Sequence, residues 1–230
     1  MTKKRKIIIL SLGGSLIVPR GKVEVGFLKG FRNLVLKLLK SDYRLVIITG
    51  GGGVNRHYNK SAKEVAKIKD VDLDWLGIAV SKLNGELIRV IFSRQAHTSV
   101  IDDPHTKVKT NKNLIIASGW KPGCSTDKDA VLWAKNLGAK EVINLSNIDY
   151  VYDKDPRKYR NAKPIKEIRW KDFSKIVGTK WSPRISAPFD PVASKLARKM
   201  GLKVVILNGR NLKNTEIYLK GGKFIGTVIK

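Results

Sequence analysis

The chain has a single cysteine, Cys124, so it can form neither an intramolecular disulfide nor a cysteine-built metal site. A reducing compartment is its natural setting. Long apolar runs are also missing: stretches such as Ile7–Leu10 are strand-sized and far too short to span a bilayer. The basic start, Met1 to Lys6, leads into that short run and not into the longer apolar stretch of a signal peptide. The protein is therefore expected in the cytoplasm, away from membranes. Acidic residues are scarce, 19 against 46 lysines and arginines, a formal charge of +27. Such a field attracts phosphate in any form. The cations are scattered, however, with Lys3–Lys6 the one run, and no aromatic-lined basic strand motif accompanies them. That pattern implies weak, salt-sensitive contact with nucleic acid and no base readout. Finally, the glycine loops contain neither G-x-x-x-x-G-K-[ST] nor G-x-G-x-x-G, so the P-loop and the dinucleotide fingerprint are both excluded.

What is present is a unit used three times: buried strand, glycine loop, helix start. Ile7–Leu10 runs into Ser11-Leu12-Gly13-Gly14-Ser15-Leu16. Leu45–Ile48 runs into Thr49, Gly50 to Gly53 and then Val54-Asn55-Arg56-His57-Tyr58. Leu114–Ala117 runs into Gly119-Trp120-Lys121-Pro122-Gly123-Cys124-Ser125-Thr126-Asp127. Continuous apolar runs of this length suit a parallel sheet covered on both faces. In such sheets the loops at the carboxyl ends of the strands share one edge, where ligands bind. The third loop carries two hydroxyls and a lysine at a helix start, which suits an anion cradle. A plain turn with Asp127 as helix N-cap is the alternative reading.

Elsewhere, Phe27, Phe31, Leu34, Val35 and Leu38 repeat at helical spacing. A long amphipathic helix is predicted between Asp70 and Ala96, with Asp74 near its start as either cap or ligand acceptor. His97–Ile101 reads as a strand and Asp102–Asn113 as a surface connection. After the helix closed by Gly138, the strand Glu141–Leu145 delivers Ser146-Asn147-Ile148-Asp149-Tyr150-Val151-Tyr152-Asp153-Lys154-Asp155-Pro156. This loop suits a purine and ribose pocket, or a plain Asn/Asp/Pro turn. A short helix follows over Trp170–Val177, then a loop from Gly178 to Pro188. Asp190 precedes a helix stopped by Gly201, Val204–Leu207 is a strand, and Ile217–Leu219 with Phe224–Ile225 reads as a closing hairpin.

Together these segments resemble the uridylate (UMP) kinases of the amino-acid kinase superfamily, in their archaeal-type branch. The resemblance runs nearly end to end. Its markers are Gly13–Leu16, Gly50–Gly52 with Arg56 and Tyr58, Asp74–Ile78, Pro122–Asp127, Ser146–Asp149 with Val151, Tyr152 and Asp155-Pro156, and Asp190-Pro191 with Ala193 and Lys195. The family implies a three-layer αβα sandwich with a mainly parallel central sheet. It implies a monophosphate-binding lobe over 1–118, an ATP-binding lobe over 119–230, and a homo-oligomer, usually a hexamer. It places UMP at Gly51, Asp74, Lys121, Pro122, Gly123, Cys124, Ser125, Thr126 and Asp127, and ATP at Gly13, Gly14, Ser15, Gly52, Arg56, Ser146, Asn147, Tyr152 and Asp155. The reaction implied is direct in-line transfer from Mg²⁺-ATP, with no metal site of the protein's own. Arg56 would stabilise phosphate charge there, and Asp127 and Asp190 would orient cations or simply cap helices.

This sequence departs from the family pattern at several points. Ser11 stands where bacterial members carry lysine. Tyr150 stands where the family's Asp-Gly-Val-Tyr has glycine, and Cys124 where a histidine or aromatic is usual. Lys128-Asp129 is similar to other superfamily kinases, including carbamate kinases. Trp181-Ser182-Pro183-Arg184-Ile185 replaces a serine- and glycine-rich segment. Two other functions remain open at this point: another small-substrate kinase of the superfamily, or a basic nucleic-acid-binding relative that has lost catalysis.

Overall fold

The apolar runs pair in parallel, as their lack of alternation requires. A computed structural model describes residues 5–178 and 187–230. Residues 1–4 of the basic start and Trp181–Ile185 lie outside the described residues. The strands are β1 (Lys6–Leu12), β2 (Tyr43–Thr49), β3 (Leu114–Ala117), β4 (Glu141–Ser146), β5 (Val151–Tyr152), β6 (Pro164–Ile165), β7 (Glu167–Ile168), β8 (Lys203–Asn208) and β9 (Thr227–Ile229). The helices are α1 (Gly14–Ile17), α2 (Val25–Lys40), α3 (Gly52–Val65), α4 (Asp70–Ile91), α5 (Thr126–Leu137), α6 (Trp170–Val177), α7 (Pro191–Lys199) and α8 (Leu212–Leu219). Seven strands form one sheet in the order β3-β2-β1-β4-β8-β9-β7, and β5 and β6 form a small separate pair. The first five strands in that order run parallel, and β9 is antiparallel to β8.

Alternate side chains of β1 enter different layers. Ile8, Leu10 and Leu12 pack with Phe31, Leu34 and Val35 of α2 and Ile88 of α4. Ile9 packs with Ala130, Val131, Trp133 and Ala134 of α5 and Ala193 and Ala197 of α7. The result is the three-layer αβα sandwich. Strand order turns back at β1, whose neighbours β2 and β4 lead to opposite ends of the sheet. A switch of this kind opens a crevice at the carboxyl edge.

Three local expectations are corrected. The segment 97–101 touches β3 only through isolated bridges, Ala96 with Leu114 and Ile101 with Ala117. Thr98 and Ser99 are exposed between them, and Val100 turns in against Gly85 of α4 instead of continuing along the edge. The tail is not a hairpin. Asn211 caps α8 by accepting from the Asn214 N–H (3.0 Å), and Leu212 and Leu219 pack on the core, so helical burial overrides the β-prone Ile217-Tyr218 pair. The chain then closes with β9 between β8 and β7. The N-cap of α5 is Ser125, whose hydroxyl accepts from the Lys128 N–H (3.2 Å), which leaves Asp127 inside the helix.

Candidate active site

The loops after β1 and β2 cross backbone to backbone. A side-chain carbon at Gly14 would overlap the Gly50 carbonyl and the Gly52 amide, and one at Gly52 would overlap Gly14 and the Ser15 nitrogen. Gly52 also has φ +61°, which a residue with a side chain adopts only with strain. Glycine is therefore needed twice, once in each loop, to bring two chains of peptide groups into contact. The Asn84 amide donates to the Gly50 carbonyl (2.8 Å) and fixes the second loop from α4. Gly13 donates to the Leu145 carbonyl (3.0 Å), which ties the first loop to β4 beside Ser146.

At the base of this crossing lies Asp127. One of its oxygens accepts from Ser11 Oγ (3.4 Å) and Asn144 Nδ2 (3.0 Å), and the other from the Asp190 N–H (3.1 Å). Residues far apart in sequence thus converge on one carboxyl, from the ends of β1 and β4 and the start of α7. Burial pushes this carboxyl up to about 7; the Asp190 hydrogen bond opposes the shift and the Asp190 negative charge adds to it. Among the described residues no cation acts on it. Asp190 is itself buried and caps α7 by accepting from the Ala193 N–H (2.6 Å). Of the two aspartates read as caps or cation orienters, Asp190 is a cap and Asp127 is not.

The loop after β3 is held by side chains. Ser81 Oγ, on the buried face of α4, accepts from the Gly119 N–H (2.8 Å) while donating to the Thr49 carbonyl (2.6 Å). Asp74 Oδ2 accepts from the Gly123 N–H (2.9 Å). Asp74 is therefore not a helix cap: α4 begins at Asp70 after Lys69, and the carboxylate bridges the helix to the loop tip. The Gly119 and Gly123 amides are already engaged, so the anion cradle expected of the whole loop narrows to the first turn of α5. The Lys121 ammonium lies over the Trp120 ring, 3.9 Å from its centre.

On the other side of the crossing, Ser146, Asn147, Tyr150, Tyr152 and Asp155 line one cavity of about 840 Å³ together with Ile176 and Pro188. Arg157 holds Asp155 through two side-chain hydrogen bonds (3.0 and 3.1 Å), which keep that carboxyl below its usual value. Arg56 is the fifth residue of α3, at the start of its second turn, and is exposed. Its guanidinium folds back to lie near Gly53, the second residue of the helix.

A family model described as the amino acid kinase family matches residues 6–208. The chain belongs to that family. It is 31% identical over 203 residues to the uridylate kinase of Sulfurisphaera tokodaii, covering 86% of this chain and 89% of that protein. It is 30% identical over 227 residues to the uridylate kinase of Methanospirillum hungatei, covering 96% and 94%. The crystal structure of uridylate kinase from Archaeoglobus fulgidus matches with a TM-score of 0.83 at 27% identity, over 97% of this chain and 99% of that one. At 17% identity, the UMP kinase of Bacillus anthracis shares the fold, with a TM-score of 0.79 over 99% and 97% of the two chains.

Within this amino acid kinase fold, several residues that build the site drew no attention in the sequence: Asn144, Ser81 and Asn84. Each had a signal. Asn144 is a lone amide in the apolar run Val142–Leu145, and Ser81 and Asn84 are polar residues on the core-facing stripe of α4. A polar group placed among apolar neighbours must find a buried partner. Here the partners are the carboxyl of Asp127 and the backbone of the glycine loops.

Proposed function

We propose that the protein transfers the terminal phosphoryl group of ATP to UMP, giving UDP, as a step of pyrimidine nucleotide biosynthesis. The observation that carries this reading is the crossing of the first two glycine loops above buried Asp127, with an anchored loop on one side and an open cavity on the other. The uridylate kinases among the relatives favour UMP as acceptor. On this reading Gly51, Asp74 and the segment from Lys121 to Asp127 hold UMP. Gly13, Gly14, Ser15, Gly52, Arg56, Ser146, Asn147, Tyr152 and Asp155 hold ATP. The division into lobes over 1–118 and 119–230 and assembly as a hexamer in the cytoplasm belong to the same proposal. Exposed Val65, Leu83 and Val90 on α3 and α4 offer apolar surface for such an assembly.

Transfer between two phosphates needs no protein nucleophile; it needs the two anions aligned and their charge screened. The first-turn amides of α3 and α5 supply fixed positive dipole ends, and Arg56 adds a full charge. Asp74 keeps Oδ1 for an acceptor hydroxyl while Oδ2 holds the loop. Among the described residues no group of three His, Cys, Asp or Glu could hold a metal. Asp127 and Asp190, adjacent buried carboxyls, instead suit a divalent ion that arrives with the nucleotide. Asp127 and Asp190 would hold such an ion, and its chemistry there would be to neutralise charge that develops during transfer.

With Mg²⁺-ATP, purified protein should convert UMP to UDP faster than it converts CMP, AMP or GMP. Equal or faster turnover of carbamate or isopentenyl phosphate would overturn the assignment.

Tyr150 tests the donor side. Its ring lines the cavity together with Tyr152, where the family pattern has glycine. Tyr150→Gly should change the KM for ATP about fivefold, the effect of about 1 kcal/mol of stacking, and leave that for UMP within about twofold. Unchanged constants for both substrates would place the ring outside the nucleotide site.

A further inference from the structure

The loop that runs from β3 to α5 is closed at its base by a side chain to which nothing above gives a role. Asp129 lies on the buried face of α5 and is fully buried. Its Oδ2 accepts from the Trp120 N–H (3.2 Å), and its Oδ1 has no hydrogen-bond partner among the described residues. A buried carboxyl with half of its acceptor capacity unused destabilises the packing around it. Among the described residues its one hydrogen bond fixes the peptide of Trp120.

That peptide is strategically placed. The preceding amide, Gly119, is held by Ser81 of α4, and the next is held by Asp129 of α5. Two successive N–H groups are therefore gripped by different helices as the chain leaves β3. The bond from Trp120 to Asp129 also closes a short loop on itself, because Asp129 sits in the same helical turn as Thr126 and Asp127. Closing a loop at its base removes conformations that a ligand would otherwise have to freeze out. At its tip, the same loop is tied to α4 by Asp74.

We infer that Asp129 is a positioning residue: its carboxyl latches the base of the acceptor loop through the Trp120 amide and so sets the affinity for the acceptor nucleotide. It touches no substrate itself. The inference deepens the uridylate kinase reading and rests on it for the identity of the acceptor, but the latch can be measured without any substrate.

The test uses the full-length protein and three variants. Asp129→Ala removes the acceptor, Asp129→Val does so while refilling the space, and Asp129→Asn keeps an oxygen for the Trp120 N–H. Hydrogen exchange in the segment 119–125 should quicken about tenfold or more in Asp129→Ala and Asp129→Val, return close to wild type in Asp129→Asn, and stay unchanged in β1 and β4. In steady-state assays the KM for UMP should rise about tenfold in Asp129→Ala, with the KM for ATP within about twofold and kcat within about threefold. Should alanine fail to fold, the valine variant carries the same expectation. Unaltered exchange in 119–125, or equal rises in both KM values, overturns the latch. The expected exchange pattern in a protein that fails to phosphorylate UMP would uphold the latch and refute the assigned acceptor.

Discussion

Asp127→Asn is expected to lower kcat about a hundredfold or more and, at the same time, to make the protein more stable at neutral pH. The two effects have one origin. Burial moves the Asp127 carboxyl from the usual value near 4 up to about 7 in the folded chain. Between those values the unfolded chain releases this proton while the folded chain keeps it, so stability falls as pH rises through that window and levels off above about 7. At pH 7.5 the carboxylate therefore costs on the order of a few kcal/mol, an upper bound because other groups can relax. An asparagine never ionises and avoids that cost. It also fits the hydrogen bonds: its oxygen can accept from the Asp190 N–H, and its amide can donate to Ser11 and to a flipped Asn144 side chain. What it cannot supply is the negative charge beside Asp190 that the proposed transfer uses to draw in Mg²⁺, and losing one such electrostatic element costs two or more orders of magnitude. Thermal melts of both proteins without Mg²⁺ should show the variant melting several degrees higher at pH 7.5, a smaller difference at pH 5, and none below about pH 4. A variant that melts lower at pH 7.5, or one with wild-type kcat, would contradict this account of Asp127.

The same residue shows where sequence reading stops. Ile7–Leu10, Leu45–Ile48 and Leu114–Ala117 announced a parallel sheet because burial on both faces leaves an unbroken apolar run. The three glycine loops announced which edge would bind ligands, since a strand's carboxyl end and the following helix start are adjacent in any such sheet. The position of Asp127 was legible and its environment was not. Its partners Ser11, Asn144 and Asp190 come from three separate stretches, and only the sheet order brings them together. Local pattern left a helix cap open for Asp127, and Ser125 took that place two residues earlier. Asp74 was open in the same way: spacing allowed a cap or a ligand acceptor, and the structure excludes the cap, since its partner is the Gly123 amide of a loop far along the chain. The tail misled for the opposite reason. Ile217 and Tyr218 have strong local strand character, but long-range burial of Leu212 and Leu219 decided the segment as helix.

Arg56→Ala should cost about as much activity as Asp127→Asn while leaving stability almost untouched. Side chains on a helix lean toward its N-terminus, so a residue at the start of the second turn reaches back over the first. Arg56 does this: its guanidinium lies beside Gly53, over the turn whose amides face the crossing of the glycine loops. A full positive charge is thereby added to the partial charge of the helix end, at a point where the proposed donor phosphates need both. Arg56 is exposed and belongs to no ion pair within the described residues, so its removal breaks no folding contact beyond the weak ones an exposed charge makes. On these grounds kcat should fall about a hundredfold or more, as is usual for losing one preorganised stabiliser of transferring charge. The melting temperature should shift by no more than about a degree or two. Arg56→Lys should recover only part of the loss, because an ammonium carries the charge without the forked pair of donors that grips two phosphate oxygens. Steady-state kinetics of the three proteins at saturating UMP, with melts alongside, provide the measurement. An alanine variant with wild-type kinetics would remove Arg56 from the site, and a lysine variant with full activity would mean that charge alone, without bidentate geometry, is what the site uses.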